Sequence, residues 1–252
     1  MRSIEKAISF CLFLLFLSAT SQAATAADVR GRTMTLPTPD GPVSVEFYAA
    51  PGDNRRPAVI ILHGQHGLVP FHGHCRHCAV VFAQAGIDAY VVEYYRGDDA
   101  RRANDPDAKR QKEFVASRVR DWSHLISAVA SDILAGKRAS DKIGLLGFSQ
   151  GGFLATAVAG QDRRIAALGV FYGGIPNAVR DDITHLPPLL ALHGDADRRV
   201  PLAKGKALVD LAKGLGQPAE IVVYPGASHG FAGSDSADAE RRILAFFRQR
   251  LF

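Results

Sequence analysis

The chain has 252 residues, of which 47% are hydrophobic and 22% charged, with a formal net charge of +5. That length suits one large α/β domain, and the apolar share suits a packed core rather than a disordered or fibrous chain. There is no long basic run and no interleaving of basic with aromatic residues, which argues against a nucleic-acid partner.

Taken in chain order, the first segment reads as an export signal. Arg2 and Lys6 precede the apolar run AISFCLFLLFLSA, and the small-x-small triplets SQA (Ser21 to Ala23) and ATA (Ala24 to Ala26) follow. The apolar core, about 12 residues, is shorter than the roughly 20 that a membrane span needs, so a cleaved signal over residues 1–26 is expected rather than an anchor. Cys11 has no small-residue lipobox leading into it, and no later segment is long and apolar enough to span. The expectation is an exported protein, periplasmic or secreted, with no stable membrane association after cleavage. Cleavage leaves Cys75 and Cys78 in a compartment that permits a disulfide.

Next come RTMTL and VSVEFYAA, whose period-two patterns predict strands at an antiparallel edge. PAVIILHG is different, a short unbroken apolar run ending in glycine. Such a run predicts a strand buried on both faces of a parallel sheet. IDAYVVEYY, KIGLLGFS, RIAALGVFYGG, LPPLLALHGD and AEIVVYPG repeat the pattern. Helices are expected between them, over about 73–85, 109–135, 150–160, 203–215 and 235–250. The polar stretch 96–112 reads as a solvated loop running into a helix start. Strands alternating with helices predict an α/β fold, a mostly parallel central sheet with helices on both faces. No linker interrupts residues 27–252, so one domain is expected.

The chemistry concentrates at three strand ends. KIGLLGFSQGG carries Gly147-Phe148-Ser149-Gln150-Gly151, a G-x-S-x-G motif between a strand and a helix. A sharp turn there holds Ser149 clear of the sheet, and glycines at 147 and 151 let the backbones pass. The following helix points its N-terminus at the site, which favours developing negative charge. Serine needs a base. His229 in YPGASHGF supplies one, and Asp197 in LHGDADRRVP supplies the acid. The order Ser149, Asp197, His229 is that of α/β-hydrolases. Asp195 is the alternative acid, nearer its strand end, and His193 is expected to be structural. The oxyanion is expected to take the backbone N–H of Gln150 and, from the HGQHG turn, that of Gln65. His63 is expected to pack within that turn. His66, Tyr94 and Phe231 are expected to line the substrate pocket.

The stretch HGHCRHC, residues 72–78, looks like a metal site, yet no second cluster completes one at the usual spacing. Ala79 follows Cys78, so a haem-attachment motif is absent. At helical spacing Cys75, Cys78, Phe82 and Ala85 share an apolar face, with His74 and His77 beside it. That leaves either a buried thiol pair or a local disulfide between Cys75 and Cys78. No metal is expected.

VIILHGQHGL, GIDAYVVEYY, KIGLLGFSQGG, LHGDADRRVP and YPGASHGF, in this order and spacing, resemble the dienelactone hydrolase family from about Val43 to Phe252. The resemblance implies a single-domain α/β-hydrolase without cofactor, acting on carboxylic esters or lactones. It implies Ser149, Asp197 and His229 as a triad, with Gln65 and Gln150 as backbone donors. The chain departs from the namesake enzymes in carrying Ser149 where they carry cysteine, and HGQ where they hold a glutamate. A serine esterase acting on small soluble substrates, as monomer or homodimer, is therefore expected. A dienelactone-type lactone hydrolase, a small serine peptidase and a non-enzymatic exported binding protein are the alternatives.

Overall fold

The computed structural model describes residues 29–68 and 72–252, and His72 by its backbone alone. The export signal expected over residues 1–26 lies outside the described residues.

The chain forms β1 (Arg32–Leu36), β2 (Val43–Tyr48), β3 (Arg56–Leu62), α1 (His72–Gln84), β4 (Asp88–Val92), α2 (Asp99–Ala103), α3 (Ala108–Ala135), β5 (Ala139–Phe148), α4 (Gln150–Ala159), β6 (Ile165–Phe171), β7 (Leu189–Gly194), α5 (Leu202–Gly214), β8 (Ala219–Tyr224) and α6 (Gly233–Leu251). One sheet runs β1-β2-β4-β3-β5-β6-β7-β8. β1 pairs antiparallel with β2, and β2 antiparallel with β4. All later pairings are parallel.

The unbroken apolar runs explain the layers. In β3, Ile60 and Leu62 pack to one face with Trp122 and Ile126 of α3, Leu154 of α4 and Leu208 of α5. Val59 and Ile61 pack to the other face with Phe82 of α1 and Ile243 and Phe247 of α6. Alternate residues of one strand thus enter two cores, so no position is left for a polar side chain.

The stretch 96–112, expected to be a solvated loop running into a helix start, does lead into α3 at Ala108 but also contains the short helix α2. Asp99 is buried and its carboxylate accepts from the indole N–H of Trp122 at 2.9 Å and from the Arg96 amide at 3.1 Å. Asp107 caps α3 by accepting from the amides of Lys109 and Arg110, both at 2.9 Å. One buried carboxylate turns a polar segment into structure, and composition does not reveal which carboxylate it is. A 3-10 turn over Asn177–Asp182 was likewise unforeseen. No helix among the described residues is long and apolar enough to cross a membrane.

Candidate active site

Ser149 sits between β5 and α4 with φ 53° and ψ −117°. A non-glycine residue in that region is strained, at a cost of about 1–3 kcal/mol, and must be held there by its surroundings. Here the Ser149 amide donates to the Phe171 carbonyl of the neighbouring strand at 2.9 Å, and its carbonyl accepts from the Gly152 amide at 2.9 Å. A Cβ at Gly147 would collide with the Gly151 carbonyl, and one at Gly151 would collide with the carbonyls of Leu62 and His63. The two glycines therefore let the elbow fold against the end of β3.

His229 lies in the loop after β8, half-buried, with Nε2 2.9 Å from Ser149 Oγ and Nδ1 2.8 Å from Asp197 Oδ2. Asp197 is buried and its Oδ1 accepts from the amides of Arg199 at 2.9 Å and Val200 at 2.8 Å. Both oxygens are thus engaged, and a single orientation toward His229 results. The rival acid faces elsewhere. Asp195 is exposed, and its Oδ1 accepts from the Gly226 amide at 2.7 Å. His193 is buried, donates from Nε2 to the Val200 carbonyl at 2.7 Å, and lies 3.7 Å from Asp197. Burial lowers its pKa against the pull of Val200 and Asp197, so the ring is a neutral support under the acid loop.

Gln65 follows β3, and Gln150 opens α4. They are joined through a residue that sequence reasoning missed. The Tyr95 hydroxyl donates to the Gln65 carbonyl at 2.8 Å and accepts from the Gln150 side-chain amide at 2.7 Å. Asn104 adds a second donor to the Gln65 carbonyl at 3.1 Å. His63 is buried, stacks on Tyr94 at 3.9 Å, and pairs with Glu93 at 2.9 Å. Burial pushes the Glu93 carboxyl up, but the His63 hydrogen bond and charge, with backbone amides, bring it below its usual range. Glu93 and Tyr95 stand just after β4. The only sequence signal for them was the position of EYY beyond a buried strand.

A cavity of about 270 Å³ opens over Ser149 and His229. Phe148, Tyr172, Cys75, Gln65, His66 and Arg199 line it. Arg199 Nη1 lies 3.4 Å from His66 Nε2. A larger groove of about 610 Å³, along β8 and α6, contains none of these residues.

Three expectations need correction. Tyr94 does not line the cavity: it is fully buried under His63, and its hydroxyl donates to the His63 carbonyl at 2.9 Å. Its neighbour Tyr95 is buried too and reaches the site only through its hydroxyl, between the Gln65 carbonyl and the Gln150 side chain. Phe231 does not line the cavity either: it borders a separate chamber of about 30 Å³ that shares His74, Phe148 and Tyr172 with the cavity, and its ring lies 5.4 Å from that of Tyr172. Cys75 and Cys78 are free, buried thiols rather than a disulfide. Burial, then the charges of Glu46 and Glu93, push the Cys75 thiol up to about 12, and burial raises Cys78 likewise. His74 and His77 are exposed, and His77 pairs with Glu240. Among the described residues no group of three or more His, Cys, Asp or Glu could hold a metal ion.

The sheet, the strained serine turn and the placement of the three polar side chains at strand ends define an α/β-hydrolase fold. Residues 45–250 match the model of the dienelactone hydrolase family. A Methylorubrum extorquens protein provisionally named a carboxymethylenebutenolidase is 26% identical, over 96% of this chain and 89% of its own. Among solved structures, a Klebsiella pneumoniae protein provisionally described as a dienelactone hydrolase superposes with a TM-score of 0.74 at 22% identity, covering 88% of this chain and 99% of its own. A dienelactone hydrolase-like promiscuous phosphotriesterase from metagenomic libraries also gives 0.74, at 18% identity, covering 89% and 99%. The chain belongs to the dienelactone hydrolase family and is a hydrolase.

Proposed function

We propose that this protein is an exported serine hydrolase that cleaves carboxylic esters, lactones included, of small soluble substrates. The observation that carries the reading is the unbroken line from Ser149 Oγ to His229, 2.9 Å, and from His229 to Asp197, 2.8 Å. His229 Nε2 takes the Ser149 proton as Oγ attacks the carbonyl carbon. Asp197 holds the tautomer with Nδ1 protonated and stabilises the imidazolium that forms. The tetrahedral oxyanion takes hydrogen bonds from the amides of Gln65 and Gln150, beside the N-terminus of α4. As the C–O bond breaks, His229 returns the proton to the alcohol oxygen. A water that loses its proton to His229 then attacks the acyl-enzyme and frees the acid. In a lactone the alcohol and the acid stay on one molecule. The names carried by the relatives, carboxymethylenebutenolidase and dienelactone hydrolase, support including lactones. Export is supported by the charge and hydropathy pattern of residues 1–26.

Both halves are tested on one preparation. Protein recovered from the exported fraction should have an intact mass lacking about the first 26 residues. It should hydrolyse p-nitrophenyl acetate or butyrate, with kcat lowered about 10⁴-fold or more by Ser149→Ala. Full activity in that variant would show that Ser149 is not the nucleophile. A full-length mass would remove the export half.

A further inference from the structure

We propose that His63, carrying hydrogen on both ring nitrogens between Glu93 and the Gly64 carbonyl, is the positioning residue of the oxyanion site, fixing and polarising the peptide whose N–H belongs to Gln65. The inference rests on the serine-hydrolase reading above and adds to that site a pair of residues, neither of which lines the cavity.

His63 follows β3 directly and is buried. Its Nδ1 donates to the Gly64 carbonyl at 2.8 Å, and its Nε2 donates to Glu93 Oε1 at 2.9 Å. Glu93 Oε1 also accepts from the Tyr95 amide at 3.3 Å. Against the effect of burial, the His63 bond and backbone amides hold the Glu93 carboxyl below its usual range, so it is a carboxylate with no hydrogen to offer Nε2. A carbonyl and a carboxylate are acceptors only. A neutral imidazole would turn a bare nitrogen on one of them, at a distance where two lone pairs repel. Both nitrogens therefore carry hydrogen, and the ring is a buried cation paired with Glu93. The rings packed on it, Tyr94 at 3.9 Å and Tyr95 at 4.8 Å, are phenols that burial keeps neutral.

The Gly64 carbonyl belongs to the same peptide as the Gln65 N–H. In a trans peptide the two point in opposite directions, so holding one aims the other. This carbonyl is held twice, by His63 Nδ1 and by the Gly67 amide at 3.1 Å. The peptide borders the cavity: Gly64 and Gln65 both line it, and a Cβ on Gly64 would stand 3.5 Å from Ser149 Cβ. A hydrogen bond from a cation draws electrons toward the carbonyl oxygen. It leaves the amide hydrogen of that peptide more positive and a better partner for an oxyanion. The next peptide is held separately, its Gln65 carbonyl accepting from Tyr95 and Asn104. Gln65 is thus clamped on both sides, and His63 brings a charge to the peptide that carries the donor.

The measurement is kcat and KM on p-nitrophenyl butyrate for wild type, His63→Leu, His63→Asn and Glu93→Gln, each checked for folding by circular dichroism. Inhibition by a trifluoromethyl ketone, which Ser149 converts to a bound oxyanion, is followed beside it. His63→Asn places a side-chain amide where Nδ1 stood, so it keeps the hydrogen bond to Gly64 and loses the charge. Outright loss of an oxyanion donor costs about 10²–10³ in kcat, and loss of its support should cost less. His63→Leu should lower kcat about 30-fold, and His63→Asn and Glu93→Gln about fivefold. KM should stay within about threefold, because the oxyanion exists only beyond the ground state. The inhibitor's Ki should rise in proportion to the fall in kcat/KM. Nitrogen NMR of the wild-type protein should show hydrogen on both nitrogens of His63. Glu93→Gln leaves the buried ring in place, so the test does not depend on His63→Leu folding. A folded His63→Leu with wild-type kcat would overturn the proposal. So would losses that fall on KM or leave Ki unchanged, or a His63 ring with one bare nitrogen. Failure of wild type to label with a fluorophosphonate would instead remove the serine reading on which the proposal stands.

Discussion

Asp195 and Asp197 are two positions apart in the same loop, and their side chains do unrelated work. The amides of Arg199 and Val200 turn Asp197 inward to His229, whereas Asp195 reaches sideways to the Gly226 amide and ties the β7 loop to the β8 loop. Asp197→Asn should lower kcat about 10⁴-fold, because the amide favours the wrong histidine tautomer. Asp195→Asn keeps an acceptor for Gly226 and should stay within about tenfold of wild type. Parallel kinetics on one ester decide between them, and equal losses would contradict the assignment. A similar division separates Tyr94 from Tyr95. Both rings are buried in one core cluster against His63 and Trp122, and the difference lies in their hydroxyls: that of Tyr94 donates to the His63 carbonyl and that of Tyr95 to the Gln65 carbonyl.

The elements place these residues by meeting at the carboxyl edge of the sheet. β5 and α4 are joined through one strained residue, and that joint is pressed against the end of β3, just before the turn that holds Gln65. Gly151→Ala must therefore move β3 as well as α4. Its expected cost is about 3 kcal/mol of stability, read as a lower urea midpoint, together with loss of esterase activity. An alanine variant that melts and turns over like wild type would show the joint to be looser than its contacts imply. Helix α1 fills a supporting role from the other face. Its two cysteines, Phe82 and Ala83 pack on β3 and β4, and its N-terminal half forms the wall beside the cavity. The stretch that most resembles a metal site is scaffold because its cysteines point inward while His74 and His77 stay at the surface.

Across the whole molecule, four buried or partly buried titratable groups give stability one direction of pH dependence. Burial lowers His193 below its ordinary 6.5, and burial with Arg163 lowers His185. A base with a lowered pKa in the fold binds protons more readily when unfolded. Its contribution is full above about pH 6.5 and declines as the pH falls below it. Glu93 and Asp162 are carboxyls held below their usual 4.5 and 3.8 by His63 and Arg164, against the effect of burial. Their contributions are present above those values and are lost as the pH drops through the folded ones. All four effects have the same sign, so Tm should hold from pH 8 to about 6.5 and fall from there to pH 4. His193→Gln should flatten the first part of that fall. A Tm higher at pH 5 than at pH 8 would contradict this account.

Much of this was written in local pattern. Apolar runs buried on both faces have no polar alternation, so β3 to β7 and, between them, α1, α3 and α4 could be read within a few residues, whereas α2 could not. G-x-S-x-G after such a run marked Ser149, because only glycines allow that crossing, and His229 followed from a strand-end loop further along. What the sequence by itself determined was therefore the order of layers and the chemical types brought to one edge. The tertiary structure decided which of several candidates faces the others: Asp197 rather than Asp195 toward His229, Tyr95 rather than Tyr94 at the Gln65 carbonyl, and Tyr172 rather than Phe231 at the cavity. The physical reason is that periodicity records burial along one element. The direction of a loop side chain is set by hydrogen bonds within its own loop, as at Asp197, together with partners 30 to 80 positions away.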